Sequence, residues 1–254
     1  MSYFAGILCG IVVGSWAFHY ISTFAEHTVM QVYRNYVQIF SQNPPHFCPR
    51  DATLQRKKCG AFYAYLIGFG ALFLGCAVSF SPLSFALWIA AYCSLLFVIA
   101  LIDWQYRLIP PALCQLLFVL ALGGAYVRLT PLALEQSLLG AATGFSSFYL
   151  MYHLAKVGYR REALGRGDYW LMFGLGGFVP AQQLALTVFL ACFGGLSYAL
   201  YLRMRGTHVR LIPFAPFLCA GGGLGFIFYM GNFAEICHNN LHSICMFIPY
   251  SFGH

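Results

Sequence analysis

From Phe4 to Gly231 the chain is a succession of apolar runs separated by short loops. A helix crossing a hydrocarbon core needs about 20 predominantly apolar residues. The runs lie near 4–24, 61–79, 83–102, 112–127, 137–155, 169–179, 182–202 and 211–231, and most approach that length. The chain is 60% hydrophobic and 8% charged, whereas a soluble domain is about 25% charged. This pattern predicts an all-α, polytopic transmembrane helical bundle of about eight spans. It is read as a single membrane-embedded domain over 1–254, with a short cytoplasmic loop at 40–60. The first run has no basic segment before it and no obvious small-residue cleavage site, so it reads as a retained span rather than a signal peptide.

The formal charge of +7 does not point to nucleic acid, because the cations gather in short loops. The loops at 50–58, 107, 156–166 and 203–210 hold 12 of the 14 Lys and Arg residues. Excess Lys and Arg mark cytoplasmic loops. All four share one side only if the segment at 169–180 crosses, which puts both termini outside. That segment is short for a crossing and ends at Pro180. A re-entrant segment would instead send the 203–210 loop, with three arginines, to the outer face.

Only three aspartates occur, and two of them border apolar runs: Asp103 ends one in Ala100-Leu101-Ile102-Asp103-Trp104, and Asp168 stands where a polar loop gives way to another in Leu164-Gly165-Arg166-Gly167-Asp168-Tyr169-Trp170. The third, Asp51, lies in a polar loop. A carboxylate at a membrane boundary is costly unless it is paired, protonated or reached by water. Either aspartate alone could cap a helix turn at the interface. As a pair they suit catalysis, since two carboxylates sharing one proton can activate water and protonate a leaving amine. Gly165 and Gly167 remove side chains where a substrate backbone would approach.

Several motifs together resemble a known family. Gly165-Arg166-Gly167-Asp168 resembles the GxGD signature of intramembrane aspartic proteases. Asp103 followed by Leu108-Ile109-Pro110 is similar to the first-aspartate motif of type IV prepilin peptidases. Ile212-Pro213-Phe214-Ala215-Pro216-Phe217 resembles the Pro-Phe-Gly-Pro-Phe stretch of their last spans, and Gly14-Ser15-Trp16 the Gly-Ser-Phe of their first. The resemblance implies an endopeptidase of the bacterial inner membrane, with its active site facing the cytoplasm. It would remove basic leaders from prepilins or pseudopilins, with Asp103 and Asp168 catalytic and Gly165, Arg166 and Gly167 supporting the motif. Its partners are that substrate and membrane lipid; proteolysis needs no cofactor.

The chain also departs from the family. The first cytoplasmic loop there carries two CxxC pairs, a spacing that binds zinc. Here Cys48 is followed by Pro49-Arg50-Asp51 and Cys59 by Gly60-Ala61-Phe62, so half of each pair is missing and no metal is expected. The family associates its N-terminal region with S-adenosylmethionine-dependent methylation of the new amine. The Asn and Arg-Leu-Pro found there are absent from Ala17-Phe18-His19-Tyr20-Ile21, which leaves Glu26 as the acid of that region. Cleavage without efficient methylation is therefore expected. Pro111 replaces the Asp after Ile-Pro, and Trp170 the Lys after GxGD.

Other features read as packing. Gly221-Gly222-Gly223 fits close helix contact rather than phosphate binding. His19 and His153 read as hydrogen-bonded packing residues. Cys237-His238 and His242-Cys245 have metal-like helical spacing, and a disulfide between these cysteines is the competing reading. The alternative function is a transporter or proton-conducting protein using intramembrane carboxylates. Against it, the acids stand at span ends, and no chain of polar residues joins the two faces.

Overall fold

The computed structural model describes residues 2–40, 52–159, 165–206 and 212–246, with the side chains of 2, 159 and 232–246 excepted. Asp51, Cys48 and the pairings drawn for Cys237, His238, His242 and Cys245 lie outside the described residues or side chains. The described chain contains eight α-helices: α1 (Ser2–Ile39), α2 (Phe62–Ser79), α3 (Leu83–Tyr106), α4 (Pro111–Tyr126), α5 (Leu134–Tyr159), α6 (Arg166–Gly176), α7 (Leu184–Met204) and α8 (Ala215–Met246). A 3₁₀ turn at Ala181–Gln183 precedes α7. Each apolar run of the sequence corresponds to one helix, giving an all-α polytopic membrane bundle. Four helical stretches are long and apolar enough to cross a membrane: Tyr3–Ile39, Phe62–Ser79, Leu83–Tyr106 and Ala181–Met204. Pro111–Tyr126 and Ala215–Gly231 are shorter apolar helices.

The chain divides into two compact units, Met1–Leu108 and Ile109–His254. In the first, α1 and α2 run antiparallel in close contact. A Cβ on Gly10 would stand 2.6 Å from the Phe69 carbonyl oxygen, and one on Gly14 2.7 Å from that of Tyr65. Glycines four apart thus let two backbones meet, which in lipid takes the place of a hydrophobic driving force. The first helix does not stop near residue 24 as its apolar run does, but continues to Ile39. No Gly or Pro occurs from Ser15 to Asn43 to break it. Its hydroxyls also bond back into the helix, Thr23 to His19 O at 2.8 Å and Thr28 to Phe24 O at 2.8 Å.

In the second unit α6 packs against α4 and α5. Its eleven residues span about 16 Å, roughly half of a hydrocarbon core. Gly140 of α5 and Gly176 of α6 meet so tightly that a Cβ on either would stand within 2.4 Å of the other's carbonyl oxygen. A Cβ on Gly174 would lie 2.9 Å from Cys114 O of α4. Leu171, Met172 and Leu175 fill the space between and are almost wholly buried. Gly221 of α8 packs on α7, where a Cβ would come within 2.5 Å of Thr187 O. Gly221 and Gly222 of the triplet are thus packing residues, the latter against Leu175 of α6. Phe217, from the Pro-Phe-Ala-Pro-Phe stretch, lies against Gly194 and Tyr198 of α7 and seats the start of α8.

Candidate active site

Asp103 belongs to the first unit and stands in the last turn of α3, 5% exposed. The helix ends one turn later, where Arg107 takes a left-handed conformation (φ 55°) and its N–H donates to Asp103 O at 2.8 Å. The following Pro110 and Pro111 cannot extend that ladder. The basic loop before α2 is tied to this helix end. The Lys57 N–H donates to the Tyr106 hydroxyl at 3.1 Å, its ammonium donates to Gln105 O, and it lies 5.7 Å from the Tyr106 ring centroid. A cation there complements the negative end of the helix dipole.

Asp168 belongs to the second unit and occupies the third position of α6, also 5% exposed. Its Oδ2 accepts the Gly165 N–H at 3.0 Å, and its own N–H donates to Gly165 O at 3.2 Å. The carboxylate thus caps a helix N-terminus, where aligned amides favour an anion. The two glycines of the motif make room for protein. A Cβ on Gly165 would come 3.1 Å from Asp168 Oδ2, and one on Gly167 2.5 Å from Ile109 Cβ. Ile109 is the central residue of Leu108-Ile109-Pro110, so two stretches singled out in the sequence touch here. Arg166 is held by α5, its Nε donating to the buried Tyr152 hydroxyl at 3.2 Å. Trp170, where the family has Lys, packs edge-on to Phe145 of α5 and Phe173.

Gly165, Arg166, Gly167 and Asp168 therefore form one built element at the start of α6, while Asp103 ends α3 in the other unit. Three supports were not visible in the sequence. They are Tyr152 under Arg166, Lys57 at the end of α3, and Ser137 of α5, whose buried hydroxyl donates to Gly177 O at 2.7 Å beyond the end of α6. None carried an advance signal, since Ser137 shares its apolar run with Thr143, Ser146 and Ser147. Of the two loop cysteines, Cys59 is described. Its thiol donates to Lys57 O at 3.4 Å, and burial pushes its pKa up, outweighing the opposing pull of Arg56. His153 is exposed and meets the rings of Tyr149 and Tyr152 edge-on.

A family model described as the type IV leader peptidase family matches residues 90–200, the stretch that carries both aspartates. A Haemophilus influenzae protein named prepilin leader peptidase/N-methyltransferase is 36% identical over 218 residues, covering 86% of this chain and 94% of the relative. Leader peptidase HopD of Salmonella typhimurium is 34% identical over 85 residues, 32% of this chain and 55% of its own. An Escherichia coli protein named type 4 prepilin-like proteins leader peptide-processing enzyme is 39% identical over 79 residues, 31% and 28% of the two chains. No solved structure matches the chain.

Proposed function

Because the chain belongs to the type IV leader peptidase family, we propose that it is a membrane aspartic endopeptidase cutting prepilins or pseudopilins with Asp103 and Asp168 as its catalytic pair. It is a multi-pass inner-membrane protein that removes the leader of a prepilin-type substrate. The observation that carries the assignment of residues is the burial of both carboxylates, each 5% exposed and each in a terminal helix turn. Charges are not kept at such depth without a task or a partner.

In this reading one carboxylate takes a proton from water as the water oxygen attacks the scissile carbonyl carbon. The other, protonated, donates a hydrogen bond to the carbonyl oxygen. The tetrahedral intermediate then collapses, the C–N bond breaks, and the leaving nitrogen takes a proton from the pair. Asp168 suits the proton acceptor, since its oxygen already accepts an amide N–H at a helix N-terminus. Asp103 suits the donor, because it stands at the opposite, negative end of a helix dipole. On this reading α6 crosses and the site faces the cytoplasm, which the grouping of cations in the loops at 50–58, 107, 156–166 and 203–210 supports. A substrate with a basic leader followed directly by an apolar helix brings its scissile bond to that boundary. The backbone there must unwind, since a helix hides its carbonyls in internal hydrogen bonds.

S-adenosylmethionine, implied by the relatives' second activity, fits the described residues of the first unit poorly. A basic cavity there is lined by Phe18 and by Arg56, Lys57, Lys58, Cys59 and Gly60. A sulfonium would meet cations in it and no carboxylate. Glu26, the acid of the first helix, stands exposed on α1. The reading is therefore cleavage without efficient methylation.

Co-expression with a candidate prepilin tests both parts. The mature form, seen as a mobility shift, should appear only when this chain is present. Mass spectrometry of that product should find an unmethylated N-terminus. Absence of cleavage across several prepilins contradicts the peptidase reading. A methylated product dependent on this chain contradicts the second part alone.

A further inference from the structure

The first unit has two cavities that the peptidase chemistry does not use. One, of about 600 Å³, is lined by Ala64, Gly68 and Leu72 of α2 and by Cys93, Phe97 and Leu101 of α3. These residues recur every four positions, forming one stripe per helix about 12 Å long at 1.5 Å per residue. Gly68 differs from the packing glycines of α1, because a Cβ placed on it would have nothing within 4 Å. It leaves a notch in an apolar wall instead of admitting a neighbouring helix.

The second cavity, of about 460 Å³, lies just before α2 and is lined by Phe18 and residues 56–60. The segment 52–60 carries three cations and no acid. The linings of the two cavities touch. Tyr65 lines the apolar one, and its ring meets that of Phe18, which lines the basic one, with centroids 5.5 Å apart. The Lys57 ammonium is engaged by Gln105 O at the end of α3, so Arg56 and Lys58 are the cations that remain for a ligand.

We propose that the two cavities together form a binding site for one anionic phospholipid, an acyl chain lying in the α2–α3 groove and the phosphodiester meeting Arg56 and Lys58. A basic leader peptide is repelled by the second cavity, and a free anion leaves the first unfilled. An amphiphile with an anionic head matches both. Polybasic segments next to a span attract anionic lipid in this way. The site uses neither aspartate and stands whether or not the peptidase assignment does.

The full chain, purified in neutral detergent, is titrated with phosphatidylglycerol or with phosphatidylcholine of the same acyl chains, and retained lipid is counted by native mass spectrometry. One retained phosphatidylglycerol per chain is expected, preferred about tenfold or more over phosphatidylcholine. Arg56→Gln with Lys58→Gln should abolish the preference. Arg56→Lys with Lys58→Arg, which keeps both charges, should preserve it. Gly68→Leu, filling the notch, should reduce retention of both lipids. Equal retention of the two lipids overturns the proposal, as does a preference indifferent to the Gln pair or lost in the charge-keeping pair. Displacement of the lipid by inorganic phosphate alone would reduce the site to an anion pocket. Displacement by a synthetic prepilin helix would assign the groove to substrate. Either displacement ends the lipid reading.

Discussion

The Asp168 carboxylate and the Gly165 backbone N–H meet at 3.0 Å, closing the first turn of α6 around the acid of the GxGD motif. A Cβ at residue 165 would stand only 3.1 Å from that same oxygen. The backbone at 165 is extended, with φ −69° and ψ 143°, and alanine adopts it freely. Gly165→Ala should therefore fold normally yet push the carboxylate aside by a few tenths of an ångström. The expected result is a fall in kcat of about tenfold, or about 1.4 kcal/mol of barrier. Steady-state processing of a prepilin, normalised to membrane protein level, measures it.

Gly167 makes a sharper case. Its missing Cβ is what lets Ile109 approach, since the two would lie 2.5 Å apart. Gly167→Ala should cost about 1–3 kcal/mol through overpacking and lower both stability and activity. Adding Ile109→Gly, which removes the opposing Cβ as well as the atoms beyond it, should restore much of the activity. If the double variant is no better than the single one, the contact is not what the glycine serves.

Much of this was legible beforehand. The eight apolar runs became eight helices because a period and a length are properties of a segment alone. The two aspartates stood out because a buried acid is costly anywhere in such a chain. The Tyr152–Arg166 contact could not be read this way, because it joins residues 14 apart on two helices whose crossing no local pattern specifies. Lys57 is similar, meeting α3 across 48 residues of sequence. The continuation of α1 to Ile39 was missed for another reason. The polar stretch after residue 24 resembles a loop by composition, while the absence of Gly and Pro lets the helix run on through it.

The basic loop should work without metal. Processing is expected to survive strong chelators and the double change Cys48→Ser with Cys59→Ser. Burial raises the pKa of Cys59, so its thiol stays protonated to higher pH than a free cysteine. In a chain keeping Cys59 as its single cysteine, alkylation at pH 8 should be slower than that of a free thiol, and should rise only at higher pH. Stoichiometric zinc lost with the double change, or fast alkylation at pH 8, would count against this view of the loop.

The short α6 makes topology a test. Its eleven residues cross only with local thinning of the bilayer or the help of neighbouring helices. Reporter fusions after residues 58 and 107 should report cytoplasm, and so should one at residue 206. An external report at 206 makes α6 re-entrant and moves the 203–210 loop to the outer face.

The central claim is that Asp103 and Asp168 act together on the scissile bond. Asn keeps the size of each side chain, and at 168 it can still accept the Gly165 N–H, but it cannot cycle a proton. The direct measurement is the rate of prepilin cleavage by purified wild type, Asp103→Asn and Asp168→Asn, with Asp51→Asn as the control. Both dyad variants should remain folded in the membrane and lose cleavage by at least about a thousandfold, a loss of about 4 kcal/mol of transition-state stabilisation. The control should cleave nearly as wild type does. Near-normal cleavage by either Asp103→Asn or Asp168→Asn would contradict the account.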